Sequence, residues 1–279
     1  MIRLITLLVT IVTVAGLTAC SRSVPSIEGP AVPQRIVSLD YCADQYVLKF
    51  VARDRILALS PDAEKDFSYM RSAASGIWQV RSSAEDILVL KPDLVVRSYG
   101  GGPHAAAFLE RAGIPVLNVG WASDLDGVMS NVQTMADGLG ASEQGKQVVA
   151  DMQARLDAVS SKSRNQSMLY LTPAGVTTGP GSMIHELISA AGFENYETDA
   201  GWRSIPLEEL VYSKPDTIAA AYFQNRASQP DAWSSMRHPI AQRQLAAQDV
   251  VQLDGAWVSC GGWYLMDAVE ALAATGADS

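Results

Sequence analysis

Ala84-Glu85-Asp86-Ile87-Leu88-Val89-Leu90-Lys91-Pro92-Asp93-Leu94-Val95 and Leu207-Glu208-Glu209-Leu210-Val211-Tyr212-Ser213-Lys214-Pro215-Asp216-Thr217-Ile218 are two copies of one unit, one in each half of the chain. Each starts with acids, continues as an apolar helical turn, breaks at Lys-Pro-Asp and runs into a strand. Proline has no N–H to continue a helix and its ring collides with the preceding turn, so the break has a steric cause. A tryptophan precedes each copy, Trp78 and Trp202. A unit repeated in this way implies two similar lobes facing a cleft.

Working outward, short β-rich runs alternate with helical patterns, as in α/β proteins with parallel strands. Residues 36–39, 56–59, 94–96 and 116–119 read as strands of a first lobe. Ala43, Tyr46, Val47 and Phe50 fall at helical spacing after the first, and residues 104–112 read as a helix. Strands return at 168–171, 217–221 and 250–253, and residues 263–274 read as a closing helix. Between the lobes the period changes. Leu125, Val128, Val132, Met135 and Leu139, then Val148, Met152, Leu156 and Val159, recur at intervals of three and four. A helix over 141–163 would be roughly 34 Å long, enough to bridge two lobes. The expected fold is therefore two Rossmann-like α/β lobes with parallel-rich sheets joined by a long, rigid α-helix.

The N-terminus carries an address. Arg3 precedes an apolar run over residues 4–17, too short for a comfortable membrane span and suited to an export signal. The run ends in Leu17-Thr18-Ala19-Cys20, which resembles the lipobox of bacterial lipoproteins and makes Cys20 the expected lipid attachment site. Ordinary cleavage near Ala19 is the alternative, and both place the mature chain outside the cytoplasm. Residues 21–33, rich in Ser, Pro and Gly, read as a flexible tether. The chain thus divides into a signal (1–20), a tether (21–33), a first lobe (34–122), a helical segment (123–164) and a second lobe (165–279).

A net charge of −9 argues against a nucleic-acid partner. His104, His185 and His238 are scattered, no Gly-x-Ser-x-Gly elbow occurs, and Gly179-Pro180-Gly181-Ser182 lacks the Walker lysine and the dinucleotide spacing. No catalytic residue, metal site or resident cofactor is expected. Cys42 and Cys260 are the cysteines left once Cys20 is set aside. An oxidising compartment permits a disulfide between them, but two cysteines far apart in sequence do not establish one.

Arg35-Ile36-Val37-Ser38-Leu39, the two Lys-Pro-Asp units with their acids, and the linking helix between them resemble the helical-backbone class of periplasmic binding proteins, which serves vitamin B12, ferric siderophores and haem. The resemblance covers Arg35 to the C-terminus. It implies a non-catalytic, monomeric substrate-binding protein of an ABC importer, delivering a corrinoid or iron chelate to membrane permease subunits; a metal- or haem-handling protein or an enzyme on the same scaffold is the alternative. It projects a cleft lined by Asp40, Tyr41, Cys42, Trp78, Tyr99 and Gly100 from the first lobe and by Trp202, Trp257 and Cys260 from the second. Tyr222 and Trp233 are as readily core residues. Trp202 precedes Glu208 at the spacing of the family's ligand-contacting tryptophan, and Trp78 sits one position earlier than that. Anionic chelates call for arginines, with Arg97, Arg203 and Arg226 as candidates. The two cysteines depart from better-known members. They are open to an interlobe disulfide, a soft metal or plain pocket lining, with lining the default. Glu85 and Glu208 match the paired glutamates that salt-bridge to arginines of two permease subunits. The local alternative is helix capping, since Ser82-Ser83-Ala84-Glu85 fits a capping box.

Overall fold

The computed structural model describes residues 32–159, 164–172, 174–222, 238–247 and 250–275, within one compact unit, Val32–Ser279. The export signal with Cys20 lies outside the described residues, as do Arg226, Trp233 and the side chain of Tyr222. Val32 and Pro33 already pack into the unit: the Pro33 carbonyl accepts from Arg55 Nε at 2.7 Å.

The strands are β1 (Ile36–Ser38), β2 (Ile56–Ala58), β3 (Leu94–Arg97), β4 (Val116–Asn118), β5 (Ser167–Leu171), β6 (Val176–Thr178), β7 (Glu194–Asn195), β8 (Trp202–Ser204), β9 (Thr217–Tyr222) and β10 (Val250–Asp254). The helices are α1 (Tyr41–Phe50), α2 (Arg71–Ala74), α3 (Ala84–Leu90), α4 (Ala105–Arg111), α5 (Leu125–Gly138), α6 (Ser142–Val159), α7 (Met183–Ala190), α8 (Glu209–Tyr212), α9 (Pro239–Ala247), α10 (Gly255–Val258) and α11 (Leu265–Ala274). One sheet has the order β2-β1-β3-β4 and the other β10-β9-β5-β7, with every pairing parallel. Read from its other edge, the second sheet is β7-β5-β9-β10. The lobe's first strand is flanked by its next strand and by the strand after Lys-Pro-Asp, as in the first sheet. The second lobe adds an antiparallel ribbon of β6 and β8, too short and polar for its pattern to announce strands.

The aspartate of each Lys-Pro-Asp explains why the unit recurs. Asp93 accepts the N–H groups of Gln34 (2.7 Å) and Arg35 (2.8 Å), and its own N–H donates to the Arg35 carbonyl at 2.9 Å. Asp216 accepts the N–H and hydroxyl of Ser167 at 2.7 and 2.9 Å, and its N–H donates to the Ser167 carbonyl at 3.1 Å. In both lobes this carboxylate satisfies the backbone donors where the first strand enters the sheet, and so sets that strand beside the one that follows the proline. Pro92 and Pro215 are buried, and Lys91 takes the left-handed conformation (φ 47°) that closes α3.

The copies differ in helix length. Ser83 caps α3 by accepting the Asp86 N–H at 3.3 Å, whereas α8 is only four residues long and starts without a side-chain cap, because Pro206 holds the place of Ser83. The capping register also corrects the sequence reading. The Ser82 hydroxyl is engaged by the Leu39 carbonyl, so the cap is Ser83 with Asp86, and Glu85 is no part of it.

α6, expected over 141–163, is described as Ser142–Val159, 18 residues and about 27 Å. It packs closely on α5 at Gly145, where a Cβ would stand 2.5 Å from that of Ala136. Arg155 ties it to α11 through Asp267 (2.6 Å) and Glu270 (2.7 Å). One hydrophobic core runs through both lobes, from Ile36 and Tyr46 through Val132 and Met152 to Met168, Leu187 and Val269. Asp93→Ala and Asp216→Ala should each lower unfolding free energy by about 1–3 kcal/mol in urea, with similar losses because each removes two hydrogen bonds at the start of its lobe's first strand. Loss in one lobe only would show that the repeat is not mechanical.

Candidate ligand-binding cleft

The site is built around Asp40, which follows the first strand as the N-cap of α1 and is 3% exposed. One carboxylate oxygen caps α1 by accepting the Ala43 N–H at 3.0 Å. The other accepts three successive backbone donors after β3: Ser98 (2.7 Å), Tyr99 (3.0 Å) and Gly100 (2.8 Å). Gly100 lies so close to Leu39 that a Cβ would meet its carbonyl oxygen at 2.4 Å. Arg97 clamps the same loop from its other side, Nε to the Gly100 carbonyl at 2.8 Å and Nη2 to that of Gly102 at 3.0 Å. Asp40 and Gly100, expected as ligand contacts, are therefore buried positioning residues, and Arg97 is spent on the loop.

A cavity of about 340 Å³ lies between the lobes. Tyr41, Cys42, Tyr46, Ser98 and Tyr99 line it from the first lobe, and Met183, Leu265 and residues 258–261 from the second. Residues 119–122, with Val128 and Asn131 of α5, close a third side. Among the described residues, none that lines it carries a charged side chain. Arg203, another candidate for anionic ligands, is paired with Glu197 (3.4 Å) and Asp199. The cavity's phenols also stay neutral. Burial, then the charge of Asp40, raises Tyr41, and burial, then Tyr41 and Asp40, raises Tyr99. Beneath them Asp44 of α1 is fully buried, its pKa pushed up to about 6 by desolvation although Ser60 donates its N–H and hydroxyl to it.

Cys42 and Cys260 are joined, with Cα atoms 5.6 Å apart across 218 residues of sequence. This replaces plain lining as the reading of the pair. They line the cavity and also bond its two walls, Cys42 from the first turn of α1 rather than from a loop. Around them the lobes are tied by other means. The Tyr46 hydroxyl donates to the Gly261 carbonyl at 2.8 Å, and Trp263 meets Tyr46, Phe50 and Tyr69 edge-on. Tyr69 stacks on Tyr264 at 4.6 Å and bonds Asp267 at 2.8 Å.

The tryptophans depart from expectation. Trp78 and Trp202, although exposed, do not line the cavity, and Trp257 is half-buried against the core. Trp202 rides on β8 with its ring edge-on to Tyr170 at 6.2 Å, because the β6–β8 ribbon carries it there. Among the described residues, the tryptophan that lines the cavity is Trp121, 93% exposed and unanticipated. It follows the fourth strand, so the rule that pointed to the loops after β1 and β3 reaches it as well. Asn131 holds its loop by donating to the Gly120 carbonyl at 2.7 Å.

A family model described as periplasmic binding protein matches residues 40–252. The chain belongs to the periplasmic binding protein family. It is of the helical-backbone class, its two α/β lobes connected through α6. A "Cobalamin-binding protein" of Halobacterium salinarum is 26% identical over 209 residues, covering 70% of this chain and 55% of that relative, so the match spans little more than half of the relative's length. A "Vitamin B12-binding protein" of Vibrio campbellii is 25% identical over 83% of this chain and 84% of that one. A crystal structure of a periplasmic haem-binding protein of Vibrio cholerae superposes with a TM-score of 0.70 over 86% of this chain and 98% of that one; at 19% identity it attests the fold alone. The family match and the curated relatives support a substrate-binding role and a periplasmic location.

Asp40 and Trp121 separate scaffold from contact surface. Asp40→Ala strands four backbone donors and should cost at least ~3 kcal/mol of stability. Trp121→Ala removes an exposed ring and should stay within about 0.5 kcal/mol of the parent. Urea unfolding followed by far-UV circular dichroism measures both; a destabilised Trp121→Ala would make that ring part of the core.

Proposed function

We propose that this periplasmic binding protein is a lipoprotein, anchored at Cys20, that captures a corrinoid and delivers it to the permease of an ABC importer. The observation that carries the ligand class is the composition of the cavity: rings, aliphatic and small residues and neutral hydroxyls, with no charged side chain among the described residues. Catecholate and citrate chelates are anionic, and a desolvated anion without a cation or an array of donors is costly. Arg97 and Arg203, the described candidates for pairing with one, are engaged elsewhere. A corrin bearing amide side chains needs hydroxyls and aromatic surface instead. A cavity of about 340 Å³ is at the small end of ligand pockets. It takes one part of such a macrocycle, leaving the rest against the exposed rings of Trp121 and Tyr99. The names of the curated relatives point the same way. Absorption spectra and native mass spectrometry after exposure to cyanocobalamin, haem and a ferric catecholate decide the class. Cyanocobalamin should be retained, with Trp121→Ala weakening it by about 1–3 kcal/mol. Retention of haem or the catecholate in its place overturns the assignment.

Docking rests on Glu85 and Glu208. Both are exposed, and neither joins an ion pair among the described residues. The capping role that competed with docking is filled by Ser83 and Asp86 in one copy and is not made by Glu208 in the other. Four residues on, Val89 (78% exposed) and Tyr212 (90% exposed) present apolar surface, so each lobe offers an acid and an apolar side chain one helical turn apart. A permease of two equivalent subunits suits that duplication. Glu85→Gln with Glu208→Gln should leave melting temperature and ligand affinity near the parent values while most ligand uptake is lost, measured by complementing a strain that lacks the protein. Surviving uptake, also after reversal of both residues to arginine, would exclude these positions from the interface.

A further inference from the structure

The disulfide is the feature that the binding role does not by itself require. We propose that the Cys42–Cys260 bond is a redox-sensitive lock on the cleft: it holds the two cavity walls at one spacing, and a ligand in the cleft shields it from reductants. This rests on the cavity being the ligand site.

Three observations carry it. The bond joins the first lobe to the second at the cavity surface itself, since both cysteines line the cavity. Both are partly exposed, so a small reductant reaches them in the empty protein, and an occupant of the cavity stands in its way. The third is the mechanical setting of Cys260. Gly261 and Gly262 follow it, and beyond them Trp263, Tyr264 and Asp267 are held by the aromatic cluster, by Tyr69 and by Arg155. Those ties do not involve sulfur. Breaking the disulfide therefore leaves the short wall over residues 258–262 held to the first lobe by the Tyr46–Gly261 hydrogen bond and by packing in place of a covalent bond, while α11 and the core stay in place, and the cleft loosens without the fold being lost.

The chemistry balances with a dithiol as reductant. One of its thiolates attacks a sulfur of the disulfide, the second resolves the mixed disulfide, and two electrons and two protons pass to Cys42 and Cys260 as the reductant closes to its own disulfide. An oxidising compartment keeps the lock shut in the resting protein. Linkage then demands reciprocity: if reduction weakens ligand binding by some factor, bound ligand stabilises the oxidised form by the same factor.

The test treats the purified protein with dithiothreitol, with and without saturating cyanocobalamin, and counts thiols by alkylation and mass spectrometry. Reduction should slow about tenfold or more when the spectrum shows cyanocobalamin bound, and the reduced, alkylated protein should bind it about tenfold more weakly. Equal reduction rates with ligand bound overturn the shielding; equal affinity of the two forms overturns the lock. Hydrogen exchange on the ligand-free protein reads the lock without any ligand. Reduction should speed exchange over 258–262 and leave α11 unchanged, and identical exchange in both states overturns the proposal. If cyanocobalamin binds neither form, the ligand assignment falls and the exchange result alone decides the lock. Cys42→Ser with Cys260→Ser should reproduce the reduced state, and reduction of the parent protein in place serves if that variant does not fold.

Discussion

Most of the cleft depends on one buried carboxylate that faces the backbone. Asp40 is buried, and a buried carboxylate is tolerable only when donors replace the water it has lost. Its four come from two places far apart in sequence: Ala43 at the start of α1 and the three residues that follow β3. Satisfying the acid therefore fixes α1, with Cys42 and Tyr46, against the loop that carries Tyr99. Arg97 and the close contact of Gly100 with Leu39 leave that loop no other course. The cavity's first-lobe wall follows from the hydrogen-bonding demands of this acid.

The same economy operates in each lobe at Lys-Pro-Asp. Proline ends a helix, and aspartate collects the free donors where the first strand begins. Two strands distant in sequence are thereby set side by side, Ile36 against Leu94 and Met168 against Thr217. The lobes diverge where the demand is weaker. Pro206 cannot cap as Ser83 does, and the second helix shrinks to one turn; the second lobe also accommodates a polar ribbon that the first lacks.

This separates what could be read in the sequence from what could not. The strands other than β6, β7 and β8, the linking helix and the duplication were legible because they follow from local periodicity and from residues with strong backbone consequences. Tyr41, Cys42, Tyr99 and Cys260 were legible as cavity residues because ligand loops follow strand ends. Asp40 and Gly100 lie in those same loops, but whether a carboxylate faces ligand or backbone depends on donors some sixty residues away, which no local pattern encodes. Trp202 sat at the right spacing, yet β8 pairs with β6 and turns it toward Tyr170. Trp121 belongs to no repeat, so spacing arguments passed over it. The capping register was missed by one residue because Ser82 and Ser83 are equivalent in sequence and are distinguished only by the Leu39 carbonyl beside the first.

The remaining physics concerns stiffness. A binding protein hinged on extended strands gains affinity by closing on its ligand and spends part of it in ordering the closed form. Here α6 is braced on α5 and α11, one core passes through both lobes, Trp263 and Tyr264 pack among first-lobe rings, and a covalent bond crosses the cavity wall. Large closure is unavailable to such a body, so complementarity has to exist beforehand, and the exposed indole of Trp121 already stands at the cavity. A preformed cleft loses little on binding, and it also has no stored closure to release. The cleft can therefore yield only in segments with few ties, and the stretch between Cys260 and the aromatic anchor at Trp263, held at Gly261 by the Tyr46 hydroxyl, is a segment of that kind at the cavity.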